Sequence, residues 1–244
     1  MDCRKSGCQL SKGSQGPYRK AVLSIFFLTV CCLLFASATC GFHDLPLTQL
    51  CVAAADGNIE QTNALIRRGD NVNEADSNGL TPLAWAARGN GAAVVPILVK
   101  AGADINRESR GWTPLMHAVD FKNLAVAKQL LDSGARVNVR CEKDGYTALM
   151  LAIELGREQF VPMFLDYGAD PHIKGTDDAD ALTLAVAAAT PHSGQLNSCL
   201  PNTVRQLTTR HPDLTIPNTP WGERSLQRAR DLHCDEVLSL VHTR

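Results

Sequence analysis

The sequence predicts an all-α solenoid of short helix-turn-helix units joined by hairpin loops, and three observations carry that prediction. Alanine is abundant while aromatics make up only 5% of the 244 residues, which suits closely stacked short helices better than a β-sandwich built on branched and aromatic side chains. A threonine-led apolar segment returns at Thr48, Thr81, Thr113 and Thr147, at intervals of 33, 32 and 34 residues. A glycine follows each of these threonines by 21 residues, at Gly69, Gly102, Gly134 and Gly168. With 45% hydrophobic residues, a chain of this length can bury a substantial core.

The N-terminus stands outside the period. "MDCRKSGCQLSKGSQGPYRK" carries Arg4, Lys5, Lys12, Arg19 and Lys20 against Asp2, and it leads into the uncharged "AVLSIFFLTVCCLLFASATC" of residues 21–40. A basic lead, an apolar run and small residues at its end are the layout of a secretory signal, and Ala36-Ser37-Ala38 fits the small-x-small cleavage pattern. Residues 1–38 are therefore expected to be a signal peptide and residues 39–244 the repeat domain. The apolar run is long enough to span a bilayer if uncut, so an uncleaved signal anchor is the alternative. In both cases the basic end stays in the cytoplasm and the remainder lies outside it.

The units themselves read "TQLCVAAADGN", "TPLAWAARGN", "TPLMHAVDFKN" and "TALMLAIELGR" at their starts, and "RRGDNVN", "KAGADIN", "DSGARVN" and "DYGADPH" at their turns. Thr81 and Thr113 are suited to cap a helix whose first position is Pro82 or Pro114, where a missing N–H costs nothing. Leu83, Ala86 and Ala87 are expected to face the neighbouring unit, the small alanines letting two helices approach closely. Leu98, Leu130 and Leu131 supply the core stripe of the second helix. Gly102 and Gly134 then end that helix in a conformation glycine reaches without strain. Pro96 and Pro162 share one offset near the start of the second helix, where proline is tolerated within the first turn.

This combination of a period near 33, a Thr-Pro-Leu start, paired alanines and a Gly-Ala-Asp-x-Asn turn resembles the ankyrin repeat, over about residues 44 to 242. The resemblance implies a solenoid of about five to six repeats. The histidine usual in that family after Thr-Pro-Leu is absent, replaced by Cys51, Ala84, Met116 and Met150, which removes a hydrogen-bond partner at each start. A fifth unit opens at Asp180 with "DALTLAVAAA" and carries the insertion "TPHSGQLNSCLPN" before resuming at "TVRQLTTRHPDL". A sixth, partial unit, "GERSLQRARDLHCDEVLSLV", closes the stack, with Arg224, Arg228, Arg230 and Asp231 as the polar outer face a terminal cap requires.

Function has to come from sites, because a fold alone names none. With 24 Lys+Arg against 25 Asp+Glu the net charge is −1, so the chain lacks the basic surplus of a general nucleic-acid binder, and no nucleic-acid partner is expected. The resemblance implies a palm of first helices and hairpin fingers that bind another protein. Residues two and five places after each helix-start leucine are expected to face the palm, namely Val52, Trp85, His117 and Leu151, then Ala55, Arg88, Asp120 and Glu154. Of these, Trp85, Arg88, His117, Asp120, Leu151 and Glu154 form the expected protein-binding set. A tryptophan beside an arginine has the composition of an interface hot spot. The competing reading packs Trp85 into the adjacent helix. Candidate finger-tip residues are Glu74, Asp76 and Asn78, then Arg107, Glu108 and Arg110, then Arg140, Glu142, Lys143 and Asp144; such mixed charges also serve simply to keep a hairpin soluble.

No GxSxG, HExxH, GxxxxGK[ST] or GxGxxG motif occurs, so the chain is not expected to be an enzyme, and no cofactor or metal is expected. The rival from another class is a metal-dependent or hydrolytic activity around His117, paired with Asp120 at i, i+3, or around His172 with Asp177, Asp178 and Asp180. The second cluster reads first as a solvated acidic loop. His192, Cys199 and His211 have zinc-ligand chemistry without a recognised spacing. After the leader the cysteines are Cys40, Cys51, Cys141, Cys199 and Cys234, an odd set without a CxxC pair that allows one disulfide; Cys51 reads equally as a small buried apolar side chain. The sequence as a whole is read as an exported, bacterial-type, non-catalytic protein-interaction scaffold, periplasmic or secreted. Its contact with the membrane would be limited to the N-terminal segment, as in a single-pass anchored form with the repeats outside the cytoplasm.

Overall fold

A computed structural model describes residues 48–187 and 199–241. The leader, its cleavage point after Ala38, Cys40 and most of the insertion lie outside the described residues. Among those described, the regular elements are helices, and an isolated antiparallel bridge, Ser109 to Trp112, lies in a hairpin loop. Twelve α-helices among the described residues fall into six consecutive pairs: α1 (Gln49–Asp56) and α2 (Ile59–Arg68), α3 (Pro82–Arg88) and α4 (Val95–Lys100), α5 (Pro114–Asp120) and α6 (Leu124–Asp132), α7 (Ala148–Glu154) and α8 (Val161–Asp166), α9 (Ala181–Val186) and α10 (Pro201–Arg210), α11 (Pro220–Asp231) and α12 (Asp235–Leu240). No helix among them is long and apolar enough to cross a membrane.

The recurring threonine starts each first helix for a local reason. Its backbone is extended, and its hydroxyl accepts the N–H three residues on: Thr48 from Cys51 at 3.2 Å, Thr81 from Ala84 at 3.2 Å, Thr113 from Met116 at 3.3 Å and Thr147 from Met150 at 3.3 Å. Each such bond satisfies one of the four orphan N–H groups of a helix start and is worth about 1 kcal/mol. Asp180 does the same for α9, its carboxylate accepting from Thr183 N at 2.8 Å. Thr219, followed by Pro220, caps α11 through Gly222 N at 3.2 Å. The sixth unit therefore has its own threonine-proline start, three residues ahead of the "GERSLQ" stretch from which the sequence reading began it.

The second helices of the first four units begin in two ways. Asn58 and Asn123 cap α2 and α6 with their side chains. Before α4 and α8 the chain instead makes a single 3₁₀ turn, Gly91–Ala93 and Glu158–Phe160, and Pro96 and Pro162 sit within the first turn that follows, where no N–H is required of them. The fifth unit's second helix starts at Pro201, inside the stretch assigned to the insertion. There the proline is itself the first helical residue.

First helices stack on first helices in order, α1 on α3, α3 on α5, α5 on α7, α7 on α9 and α9 on α11. In the outer layer α2 meets α4, α4 meets α6 and α10 meets α12. Leu83, Ala86, Ala87, Leu98, Leu130 and Leu131 are all buried in this continuous core, together with Phe160 and Phe164 of the fourth unit. The sixth unit turns Arg224, Arg230 and Asp231 outward, as a terminal unit must.

A second bond set fixes one unit against the next. The asparagine four residues after the turn glycine reaches across to the following turn: Asn73 donates to the Gly102 carbonyl at 2.9 Å and accepts from Asp104 N at 2.8 Å, and Asn138 donates to the Gly168 carbonyl at 3.0 Å and accepts from Asp170 N at 2.9 Å. Asn106 accepts from Arg136 N at 2.9 Å. At the C-terminal end a disulfide, Cys199–Cys234 with Cα atoms 5.9 Å apart, joins the residues preceding α10 to the N-cap of α12. Closing a loop with a sequence separation of 35 stabilises by roughly 3–4 kcal/mol in the chain-entropy treatment. Cys51 and Cys141 are free and buried. Burial pushes the Cys51 thiol up to about 11, so it behaves as a small apolar side chain rather than a nucleophile.

The turn glycines offer a direct check of this register. Gly134 has φ +96°, and a Cβ built there would meet nothing within 4 Å, so a substitution would report backbone strain alone. Gly134→Val is expected to destabilise the protein by at least about 1 kcal/mol, read from the denaturation midpoint, because a β-branched residue strongly resists positive φ. An unchanged midpoint would show that the turn does not need that conformation.

Candidate functional site

The face made by the first helices carries two rows of side chains, and the structure treats them differently. The row two places after each helix-start leucine is mostly packed: Trp85 is 7% exposed, His117 3% and Leu151 6%, while Val52 of the first unit is 38% exposed. The row five places after, Ala55, Arg88, Asp120 and Glu154, is half-buried and reaches solvent. The expected palm set thus divides, and the reason is local. Trp85 and His117 turn toward the hairpin loop of their own unit, where polar partners wait.

The indole Nε1 of Trp85 donates to Asp76 Oδ2 at 3.0 Å. Asp76 is itself buried and accepts from Leu80 N at 2.8 Å and Asn78 N at 2.9 Å, so it ties the loop under α3. It was expected at a finger tip. It is instead the internal anchor of that finger, because one carboxylate accepts from the Asn78 N–H and side-chain amide, the Leu80 N–H and the Trp85 indole. Asp144 plays a related part in the third hairpin, accepting from Tyr146 N at 3.0 Å. Exposed finger-tip charges remain at Glu74, Arg107, Arg110, Arg140, Glu142 and Lys143.

His117 is likewise structural in its surroundings. Its Nε2 lies 3.1 Å from the Ser109 carbonyl oxygen, which can only accept, so Nε2 holds the hydrogen and donates. Its ring lies 5.7 Å from that of Trp112, and its Nδ1 is buried without a hydrogen-bond partner. Burial lowers its pKa to about 4, with Arg88 and Arg110 acting in the same direction. A neutral, enclosed imidazole committed to a backbone carbonyl is not poised as a general base toward Asp120. The acid–base pairing considered from the i, i+3 spacing is not assembled.

The second catalytic or metal alternative also comes apart as written. Asp180 caps α9 and is bonded by the Thr183 hydroxyl at 2.7 Å as well as its N–H. Asp177 accepts from Tyr146 OH at 3.2 Å, and Asp178 sits 3.6 Å from Lys174. The three carboxylates are occupied in separate local roles rather than turned on His172. Cys199 is in the disulfide, which removes it from the set with His211, and His192 lies outside the described residues.

What this face does present is a charged and aromatic strip. The Arg88 guanidinium lies over two rings, 5.3 Å from the Trp85 centroid and 4.6 Å from that of Phe121. Phe121, which sequence reasoning did not select, is 41% exposed. Its signal was available: it follows α5 at the place where the other units carry Gly57, Gly89, Leu155, Ala187 and Leu232. Burial lowers the Arg88 pKa, offset by Asp120; burial raises that of Asp120, offset by Arg88 and Arg157. A partly desolvated Arg, Asp and Arg series beside an exposed ring is suited to a folded partner surface, where directed charges fix orientation and an aromatic supplies area.

Comparison with known proteins agrees with the repeat architecture. The family model described as ankyrin repeats (3 copies) matches residues 50–141 and 109–175, which together span more than half of the chain. The chain is 31% identical over 121 residues to an ankyrin repeat-containing protein of Treponema pallidum (strain Nichols), covering 49% of this chain and 40% of that one. It is 33% identical over 144 residues to alpha-latrotoxin-Lg1a of Latrodectus geometricus, covering 57% of this chain and 10% of the toxin. It is also 36% identical over 74 residues to the 2-5A-dependent ribonuclease of Homo sapiens, covering 30% of this chain and 10% of the ribonuclease. The chain therefore spans less than half the length of each of these relatives.

The buried imidazole makes a pH-dependent forecast. His117 stays neutral in the folded chain down to about pH 4, against an ordinary value of 6.5, so between these values the unfolded chain binds the extra proton. Its contribution is complete above pH 6.5 and is lost as pH falls toward 4, by about 3 kcal/mol at most. The melting temperature is expected to fall across that window, and less steeply in His117→Gln. Parallel curves for the two proteins would contradict the buried, neutral assignment.

Proposed function

We propose, from the premise that this chain belongs to the ankyrin-repeat family, that it is a non-catalytic protein-interaction scaffold working outside the cytoplasm. The arrangement that carries the binding part is Arg88 held over Trp85 and Phe121 on the first-helix face, continued by Asp120, Arg157 and Glu154. Trp85 and His117 act in it as buried supports, and Arg88 and Phe121 as the presented groups. Arginine and large aromatics dominate interface energetics because they bring area and directed hydrogen bonds at low entropic cost. The partner is another protein, and no nucleic acid is involved, in keeping with the balanced charge.

Two observations support export. The basic leader and apolar run have the layout of a secretory signal, and Cys199 and Cys234 are paired as a disulfide, a bond that persists in oxidising compartments and is rare in reducing ones. A periplasmic or secreted protein is favoured, with a membrane-anchored version of the same scaffold as the second reading.

The binding claim is tested by Arg88→Ala in a co-purification from the native compartment followed by an affinity measurement on the captured partner. At least roughly tenfold weaker binding is expected with the helical circular dichroism intact, against little change for Lys143→Ala at an exposed finger tip. Equal affinity for wild type and Arg88→Ala would move the interface off this face. Trp85→Ala should chiefly lower the melting temperature, by several degrees, since it removes a packed ring and leaves Asp76 short of a donor. Processing is tested separately: N-terminal sequencing of exported material should return Thr39, and a start at Met1 would establish the anchored form.

A further inference from the structure

The turn-to-turn bond that joins successive units changes chemistry at one place. Counting four residues from the turn glycine gives Asn73, Asn106, Asn138 and then His172. The three asparagines engage the backbone of the following turn. The turn that faces His172 is different as well, "HPD" where the other units read "GDN", "GAD" or "GAR". Its His211 and Asp213 stand where the earlier turns offer a glycine carbonyl and a backbone N–H.

Three donor side chains consequently meet across this interface. One nitrogen from each of His172 and His211 and one carboxylate oxygen of Asp213 all lie within 4.8 Å of one another. His172 Nε2 is 3.1 Å from Asp213 Oδ2, and the two imidazoles meet edge-on at 83° with centroids 5.9 Å apart. Perpendicular rings can aim in-plane lone pairs at a shared point, whereas stacked rings cannot. Donors around a tetrahedral zinc at bonds of about 2.0–2.1 Å are separated by about 3.3 Å, so modest side-chain rotations close the set.

The backbone under these donors is fixed from below. His211 ends α10 with its N–H bonded to the Leu207 carbonyl at 2.8 Å, Pro212 stiffens the turn, and Leu214 is buried beneath it, its N–H donating to the His211 carbonyl at 3.1 Å. On the other side His172 N donates to Asp170 Oδ1 at 2.9 Å, and the Pro171 carbonyl accepts from Ala181 N at 3.2 Å. Preformed backbone on both sides lowers the cost of gathering the ligands.

We propose that His172, His211 and Asp213 form a site for a borderline transition-metal cation of the Zn²⁺ class, which clamps the fourth unit to the fifth where an asparagine serves the earlier units. Two imidazoles and one carboxylate favour such a cation over Mg²⁺ or Ca²⁺, which prefer all-oxygen sets. The fourth position is left to solvent. The role is structural: the inserted fifth unit is held on one side by the metal and on the other by the Cys199–Cys234 bond.

The test uses the oxidised full chain, stripped with EDTA, titrated with ZnCl₂ by calorimetry and melted with and without the metal. One zinc per chain is expected, with the melting temperature rising by about 5 °C at a hundredfold excess over Kd and no rise with MgCl₂. Asp213→Asn should bind at least tenfold more weakly. His172→Asn should fold, because an asparagine suits this register position in the units before it, and should lose the zinc response. The proposal is overturned if the wild type melts identically with zinc and with EDTA, if MgCl₂ gives the same rise, or if His172→Asn keeps the wild-type response, which would place the metal elsewhere.

Discussion

A pair of helices this short has no interior, so each unit can bury its apolar stripe only against the unit beside it. Every other feature of the chain answers to that constraint. Units must repeat in length so that successive stripes meet, and the spacing of Thr48, Thr81, Thr113 and Thr147 is the outward sign of it. Burial alone is non-directional and would tolerate some sliding of one unit past the next. The asparagine bonds across the turns, with two polar groups of Asn73 and of Asn138 each matched to fixed backbone atoms, tolerate none.

The same constraint decides which side chains are left for a partner. The loop of each unit has to be folded against its own first helix, and Trp85 to Asp76 and His117 to Ser109 perform that attachment. Side chains so used are lost as contact surface but make the loop and helix one rigid piece. The row beyond them, with Arg88, Asp120 and Glu154, is what faces outward, and Phe121 joins it at the end of α5. A rigid support beneath a partly desolvated charge series limits the entropy lost when a partner docks.

The repeat, its caps and its turns were legible because each is decided within a few residues: a threonine hydroxyl three residues from an N–H, or a glycine at positive φ. The split of the palm was not, since the direction of Trp85 depends on Asp76, nine residues earlier, whose loop conformation no local pattern specifies. Thr219-Pro220 went unrecognised as a unit start because the insertion in the fifth unit carries it past the expected interval from Asp180. The pairing of Cys199 with Cys234 was undetermined for the same kind of reason, five widely spaced thiols leaving many connectivities open. His172 was singled out with the wrong partners. The aspartates near it in sequence are capping helices and loops, while its neighbours in space, His211 and Asp213, belong to the next turn.

The claim on which the rest stands is that the turns at Gly102, Gly134 and Gly168 are each held by the asparagine of the unit before. Native-state amide hydrogen exchange, followed residue by residue, addresses it directly through the N–H groups of Asp104 and Asp170, which donate to Asn73 and Asn138. Both should be protected in the wild type, and Asn138→Ala should speed exchange at Asp170 by at least tenfold while leaving Asp104 unchanged. Exchange at Asp170 as fast in the wild type as in Asn138→Ala would contradict it.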